Sequence, residues 1–317
     1  MKKPTHLLAV LDRSISDHAL VTKAARLARL FGAHLELFLC DAEHAYALKH
    51  AYEPRHSDEV RRKCMSQAIE YLTALRTAAR LQGRNTSVSA ACESPLYVGI
   101  VDKVRESGAD LVIKNASGVH SPAEAAFDPN DWQLMRTCPS TLLMTRGRAW
   151  HTHPRFVAAV DVSAEETTAV ARSVLEISAM LSAAHGCETD VLYCEPGGVS
   201  ADTIAVRARD LHELAERCHV GIHNLRILEG NPERKLPVAV QEGRYDVLTM
   251  GALTHRPGIA QLVGTLTSRL VDAADCDVVL VKPDASQKAV PTGSRLGPGE
   301  RAISGPLLLV QSARVIR

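Results

Sequence analysis

Between Gly251 and Thr265 the chain gathers residues suited to holding an anion. Gly251 follows the apolar run 247–250, Pro257 and Gly258 break the segment behind it, and Gly264-Thr265 stands just before an amphipathic run over 266–274. Glycine lets backbone come close to an oxyanion, and the unpaired N–H groups of a first helical turn face it. The Thr265 hydroxyl either caps that helix or donates to a phosphate oxygen. His255 and Arg256 either neutralise phosphate charge or form a solvated loop tip. Asp12 and Asp161 each end an apolar run, where a carboxylate either caps the next helix or faces a ligand.

Other chemistries find little support. The sequence has no Walker A pattern, no GxGxxG after its first apolar run and no G-x-S-x-G elbow. No catalytic residues and no metal ligands are therefore assigned. Eight cysteines show no CxxC pair or metal spacing, so they read as buried, reduced thiols. His151-x-His153 lies in a stretch, 147–154, that reads as an inter-domain linker. A net charge of +1 gives no pull toward nucleic acid. The chain lacks an apolar run of the roughly 18 residues that a membrane span needs. Lys2 and Lys3 followed by apolar residues faintly mimic a signal peptide, but Asp12 and Arg13 cut the run short, and a cytoplasmic protein is expected.

The elements that position these residues alternate between short apolar runs and amphipathic stretches. Strands are expected at 5–11, 35–40, 86–92, 111–113 and 141–145, with helices at 16–30, 57–82, 94–106 and 131–136 between them. Ser94 reads as the cap of its helix, with Pro95 in the first turn. From Arg155 the plan restarts: strands at 156–160, 190–194, 222–228, 247–250 and 278–281, helices at 164–184, 200–218, 230–242 and 266–274. Asp161-Val162-Ser163 mirrors Asp12-Arg13-Ser14, and Asn231-Pro232 mirrors Ser94-Pro95. This internal repeat predicts an α/β protein of two tandem, doubly wound domains, each with a five-stranded parallel sheet, at 1–147 and 155–283. Both faces of such sheets are covered, and aromatic content of 4% makes the cores aliphatic. Ligands in these folds sit beyond strand C-termini where strand order reverses, which is where Asp12, Asn115, Asp161 and Gly251 fall. Beyond Asp284, Pro, Gly, Ser and charge dominate, so 284–317 is expected to be a flexible tail, although Leu307–Val310 offers an edge strand or partner contact.

The stretch from Gly251 to Thr265 resembles the nucleotide signature of the universal stress protein family: Gly-x-x-Gly, nine residues, then Gly-Ser/Thr. Gly251 matches the first glycine, Gly264 the third and Thr265 the hydroxyl position, while Thr254 replaces the second glycine. The resemblance covers about residues 5 to 283 and is to the tandem, two-domain (E-type) members; the run 128–139 also resembles that subgroup. It implies strand order 3-2-1-4-5 in each half and a non-enzymatic stress-response protein. An ATP site, with Mg²⁺ as a possible companion, is then expected in the second half only, because the loop after Lys114 keeps just Gly118. Asp161 would contact the nucleoside, the strand around Leu192 would offer backbone bonds to adenine, and Gly251, Gly264 and Thr265 would hold phosphate. The resemblance also implies that the two domains pack as a pseudo-dimer, and it leaves open a homodimer of chains. The alternative is a scaffold that binds no nucleotide and holds an apolar or lipid-like ligand or a protein partner. A weak ATPase is the third reading.

Overall fold

The computed structural model describes residues 3–51, 54–81, 85–116, 128–163, 165–195, 197–254, 262–263, 267, 270–271 and 274–282. In the first half, β1 (His6–Leu11), α1 (Asp17–Phe31), β2 (His34–Cys40), α2 (Ala42–Ala51), α3 (Pro54–Ala78) and β3 (Thr86–Ala91) are followed by α4 (Leu96–Ser107), β4 (Leu111–Asn115), α5 (Pro129–Thr137) and β5 (Thr141–Thr145). The second half runs β6 (Phe156–Ala159), α6 (Glu165–Ala184), β7 (Thr189–Glu195), α7 (Ala201–Arg217), β8 (Ile222–Glu229), α8 (Pro232–Gly243) and β9 (Val247–Gly251). A two-stranded ribbon of β10 (Leu253–Thr254) and β11 (Leu262–Val263) precedes β12 (Asp277–Val281). Most of the helix expected over 266–274 lies outside the described residues, though Thr267, Leu270 and Val271 are helical. The tail expected over 284–317 lies outside them altogether.

Each half has the expected order, β3-β2-β1-β4-β5 and β8-β7-β6-β9-β12. Within each half neighbours are parallel, with Ala9 opposite Leu37 and Ile113, and Ala158 opposite Val191 and Thr249. The two orders then join into one ten-stranded sheet, because β5 and β12 pair antiparallel through Met144–Val278, Leu143–Val279 and Leu142–Leu280. Alternate residues of one strand feed opposite faces, as strand geometry requires. Leu7, Ala9 and Leu11 pack in a core with Leu20, Ala24 and Leu27 of α1, Leu72 of α3 and Leu175 of α6. Leu8 and Val10 pack in the other, with Ile100 and Val104 of α4, Leu134 of α5 and Val240 of α8.

Local chemistry sets the element ends. Gly32 closes α1 with φ +69, a left-handed value glycine reaches without a Cβ clash. Asp128 and Asn231 cap α5 and α8 by accepting from Asn130 N and Glu233 N, each with proline in the first turn. The cap expected at Ser94 is corrected: Pro95 holds that position in extended conformation with no side-chain cap, and α4 begins at Leu96. Ser94 is instead held outside the helix: its carbonyl accepts from Lys49 Nζ at 2.8 Å and its N–H donates to Glu93 Oε1 at 3.1 Å. The helix α2 was not legible as a separate element; Ala45 and Leu48 are its buried residues among those described, and Asp41 opens it by accepting from His44 N.

All eight cysteines are free thiols; five are buried as expected, while Cys187, Cys194 and Cys218 are partly exposed. The connection over 146–155 holds no helix or strand and is fastened by the second half: Asp246 accepts from His151 N at 3.0 Å and Arg155 N at 2.9 Å. Among the described residues no helix is long and apolar enough to cross a membrane.

Candidate functional site

The strand order of the second half reverses between β6 and β9, which are parallel neighbours with Ala159 opposite Met250. At their C-terminal ends Gly251 is the last residue of β9, and Asp161 follows two residues after the end of β6. Asp161 is exposed, and its Oδ1 accepts from Ser163 N at 2.8 Å, closing the turn after β6. Leu192 lies deeper: its side chain is fully buried, and its carbonyl accepts from Val160 N at 3.0 Å. The rim of β7 belongs instead to Cys194 and Glu195. Gly264 and Thr265 lie outside the described residues, as do His255 and Arg256; Thr254 belongs to β10, opposite Leu262.

Gly251 has a packing reason of its own. A Cβ there would stand 2.8 Å from Val170 Cγ1 on α6, well inside contact distance. Its carbonyl accepts from Thr267 Oγ1 at 3.4 Å, so the helical turn beyond the loop also meets this strand end. Glycine thus lets α6 lie against β9.

Three residues that sequence reasoning did not single out frame the same edge. The Tyr193 hydroxyl donates to Glu195 Oε2 at 2.6 Å. Arg207, reaching from α7, lies 3.5 Å from Glu195 and 3.7 Å from Asp210, and its Nη1 donates to the Val162 carbonyl at 3.3 Å. Burial first, then the bond to Glu195, pushes the Tyr193 phenol up, so it stays a neutral donor. Glu195 carried the same signal as Asp161, a carboxylate at the end of an apolar run; Arg207 is brought in by tertiary packing and has no local signal.

The first half builds the equivalent edge differently. Val10 is opposite Lys114 as Ala159 is opposite Met250, so Asn115 stands where Gly251 does. Asn115 is buried, and its Oδ1 accepts from Thr145 Oγ1 at 2.7 Å. Buried Lys114 pairs with buried Asp131 of α5 at 2.7 Å. Asp12 repeats the turn of Asp161 by accepting from Ser14 N at 2.9 Å. Burial works against its charge, but the hydrogen bonds from Ser14 hold the carboxyl below its ordinary range. The crevice floor is thus filled by side chains bonded to one another. The loop over 117–127, read as a lost phosphate cradle, lies outside the described residues.

Comparison with known proteins agrees with this architecture. A family model described as the Universal stress protein family matches residues 4–146 and 153–282. Universal stress protein E of Photorhabdus laumondii subsp. laumondii is 23% identical over 301 residues, spanning 88% of this chain and 95% of that protein. Universal stress protein E of Escherichia coli K12 is 22% identical over 309 residues, spanning 90% and 96%. Among solved structures, that of a functionally unknown protein from Pseudomonas aeruginosa PAO1 is similar in fold, with a TM-score of 0.70 at 22% identity, over 89% of this chain and 93% of that one.

Proposed function

The chain belongs to the universal stress protein family, and on that premise we propose that it is a non-enzymatic stress-response protein whose second half binds an adenine nucleotide, ATP with Mg²⁺. The observation that carries this reading is that β6 and β9, parallel neighbours at the reversal of strand order where α/β sheets take ligands, end next to one another, with Gly251 closing β9 and Asp161 two residues past β6. Asp161 accepts from the nucleoside through the oxygen that Ser163 N leaves unused. The end of β7, beyond Leu192, receives the base, while Gly251, Gly264 and Thr265 hold phosphate. The polar groups at this edge are arranged to hold and orient, since Asp161 is tied to a backbone N–H and Arg207 to Glu195. Residues 1–147 and 155–283 form the two domains of this reading, in a cytoplasmic protein; the antiparallel β5–β12 seam supports treating them as a pseudo-dimer. The first domain serves a structural or regulatory role.

A second reading, a scaffold holding an apolar ligand, is favoured by the charge balance at Arg207, which Glu195 and Asp210 already neutralise. Titration calorimetry with Mg²⁺–ATP on purified protein, with copurified small molecules identified by mass spectrometry, separates the two. The nucleotide reading expects micromolar binding, about −8 kcal/mol, that is lost in Gly264→Val. Absence of binding together with a copurified lipid establishes the scaffold.

A further inference from the structure

At the corresponding edge of the first half, three potential metal ligands converge from two helices and a strand end. Phe38 is opposite Val10 as Leu192 is opposite Ala159, so Asp41 occupies the place of Glu195. Their surroundings differ. Glu195 is closed by Tyr193 and Arg207, whereas Asp41 faces His44 of α2 and Cys64 of α3. One carboxylate oxygen of Asp41, Nδ1 of His44 and Sγ of Cys64 all lie within 4.8 Å of one another. His44 Nδ1 is 2.9 Å from Asp41 Oδ1, and Arg13, partly exposed, lies 3.6 Å from the same carboxylate. Asp41 and Cys64 are buried, while the His44 side chain is half exposed, which gives an ion a way in.

We propose that Asp41, His44 and Cys64 form a binding site for a divalent cation of the Zn²⁺ class. A thiolate, an imidazole and a carboxylate together match that borderline-soft ion, and they do not suit Mg²⁺ or Ca²⁺, which take oxygen ligands. Bonds of about 2.0–2.3 Å from one ion put tetrahedral ligand atoms roughly 3.5 Å apart. With all edges within 4.8 Å, the existing triangle reaches that by closing its longest edge by at most about 1.3 Å. Binding replaces the hydrogen bond between His44 and Asp41: the ring proton moves to Nε2, Nδ1 takes the metal, and the Cys64 thiol releases its proton to solvent. Two ligand anions balance the charge of the ion, and solvent completes the fourth position. The ion would pin α2 and α3 to the end of β2, which the second half achieves with the Arg207–Glu195 pair. This site is independent of the nucleotide reading.

Tag-free, full-length protein titrated with Co²⁺ tests the assignment. The expected result is one ion per chain with a thiolate-to-metal charge-transfer band that Zn²⁺ abolishes by competition. Cys64→Ser should remove the band, and His44→Gln should weaken binding at least tenfold. Cys194→Ser, the cysteine at the equivalent strand end of the second half, should change nothing. His44 is half exposed, so its variant reads out even if Cys64→Ser folds poorly, and far-UV circular dichroism checks both. A band of unchanged strength in Cys64→Ser, an unchanged affinity in His44→Gln, or no band in the native protein overturns the proposal.

Discussion

Asp17 is a carboxylate in the first turn of α1 with no exposed surface. Its Oδ2 accepts from Arg13 N at 3.0 Å and from the Tyr71 hydroxyl at 2.7 Å. Burial, opposed by the Tyr71 bond and aided by the nearby charge of Asp12, raises its pKa to about 6 from 3.8. The folded state therefore holds a proton that the unfolded chain gives up between these two values. Stability from this group is greatest at low pH and declines as pH rises through the window from about 4 to 6. Asp17→Asn removes that dependence: the amide oxygen keeps the Arg13 and Tyr71 bonds, and its NH₂ can donate to Asp12. Thermal unfolding should show Asp17→Asn gaining on the native protein from pH 4 to pH 7, by up to about 3 kcal/mol for a shift of this size. An equal difference at both pH values would mean that Asp17 is not protonated in the fold.

At the scale of elements, the contact between α6 and β9 decides how far the glycine at position 251 is a packing residue. Gly251→Ala drives a methyl into Val170, a β-branched side chain with little rotamer freedom, and should cost about 1–3 kcal/mol in denaturant unfolding. Val170→Ala in the same chain should recover most of that cost, and a double-mutant cycle measures the coupling. Additive losses would show that the clash is relieved elsewhere. The same site shows what was legible beforehand. Apolar runs such as 247–250 and 278–281 announce strands because a sheet covered on both faces needs apolar residues at every position. The repeat of Asp-x-Ser after the first strand of each half carried the two-fold plan. Gly251 was legible as a special position, but sequence could not separate close approach to phosphate from close approach of α6. The antiparallel seam was hidden, since Leu142–Met144 and Val278–Leu280 look like any other buried strands. Arg207 reaches Glu195, and Cys64 reaches Asp41 and His44, from helices further along the chain, so no local period marks either group.

For the whole molecule, the seam between β5 and β12 is supported by one buried aspartate. Asp277 accepts from Arg146 N at 2.8 Å and from Trp150 Nε1 at 2.7 Å, both in the connection between the halves. It also pairs with Lys23 of α1, and each of the two side chains is 3% exposed. A first-half cation, the connection and a second-half strand thus share a single carboxylate. Replacing a buried pair by well-packed apolar residues can be neutral, but removing one partner strands the other charge, at a cost of about 3–5 kcal/mol. Asp277→Ala should show that full cost, whereas Asp246→Ala, facing two backbone N–H groups and the exposed His151, should lose only about 1–3 kcal/mol. The larger effect bears on cooperativity. A continuous sheet predicts that both halves unfold together, so Trp150 fluorescence in a Trp132→Phe background and far-UV circular dichroism should trace one guanidinium transition in the native sequence. Asp277→Ala should move that transition to lower denaturant with both signals still coincident. If Trp150 instead reports an earlier step than the dichroism, the seam opens before the halves do, and the ten-stranded sheet is two folding units joined by a weak edge.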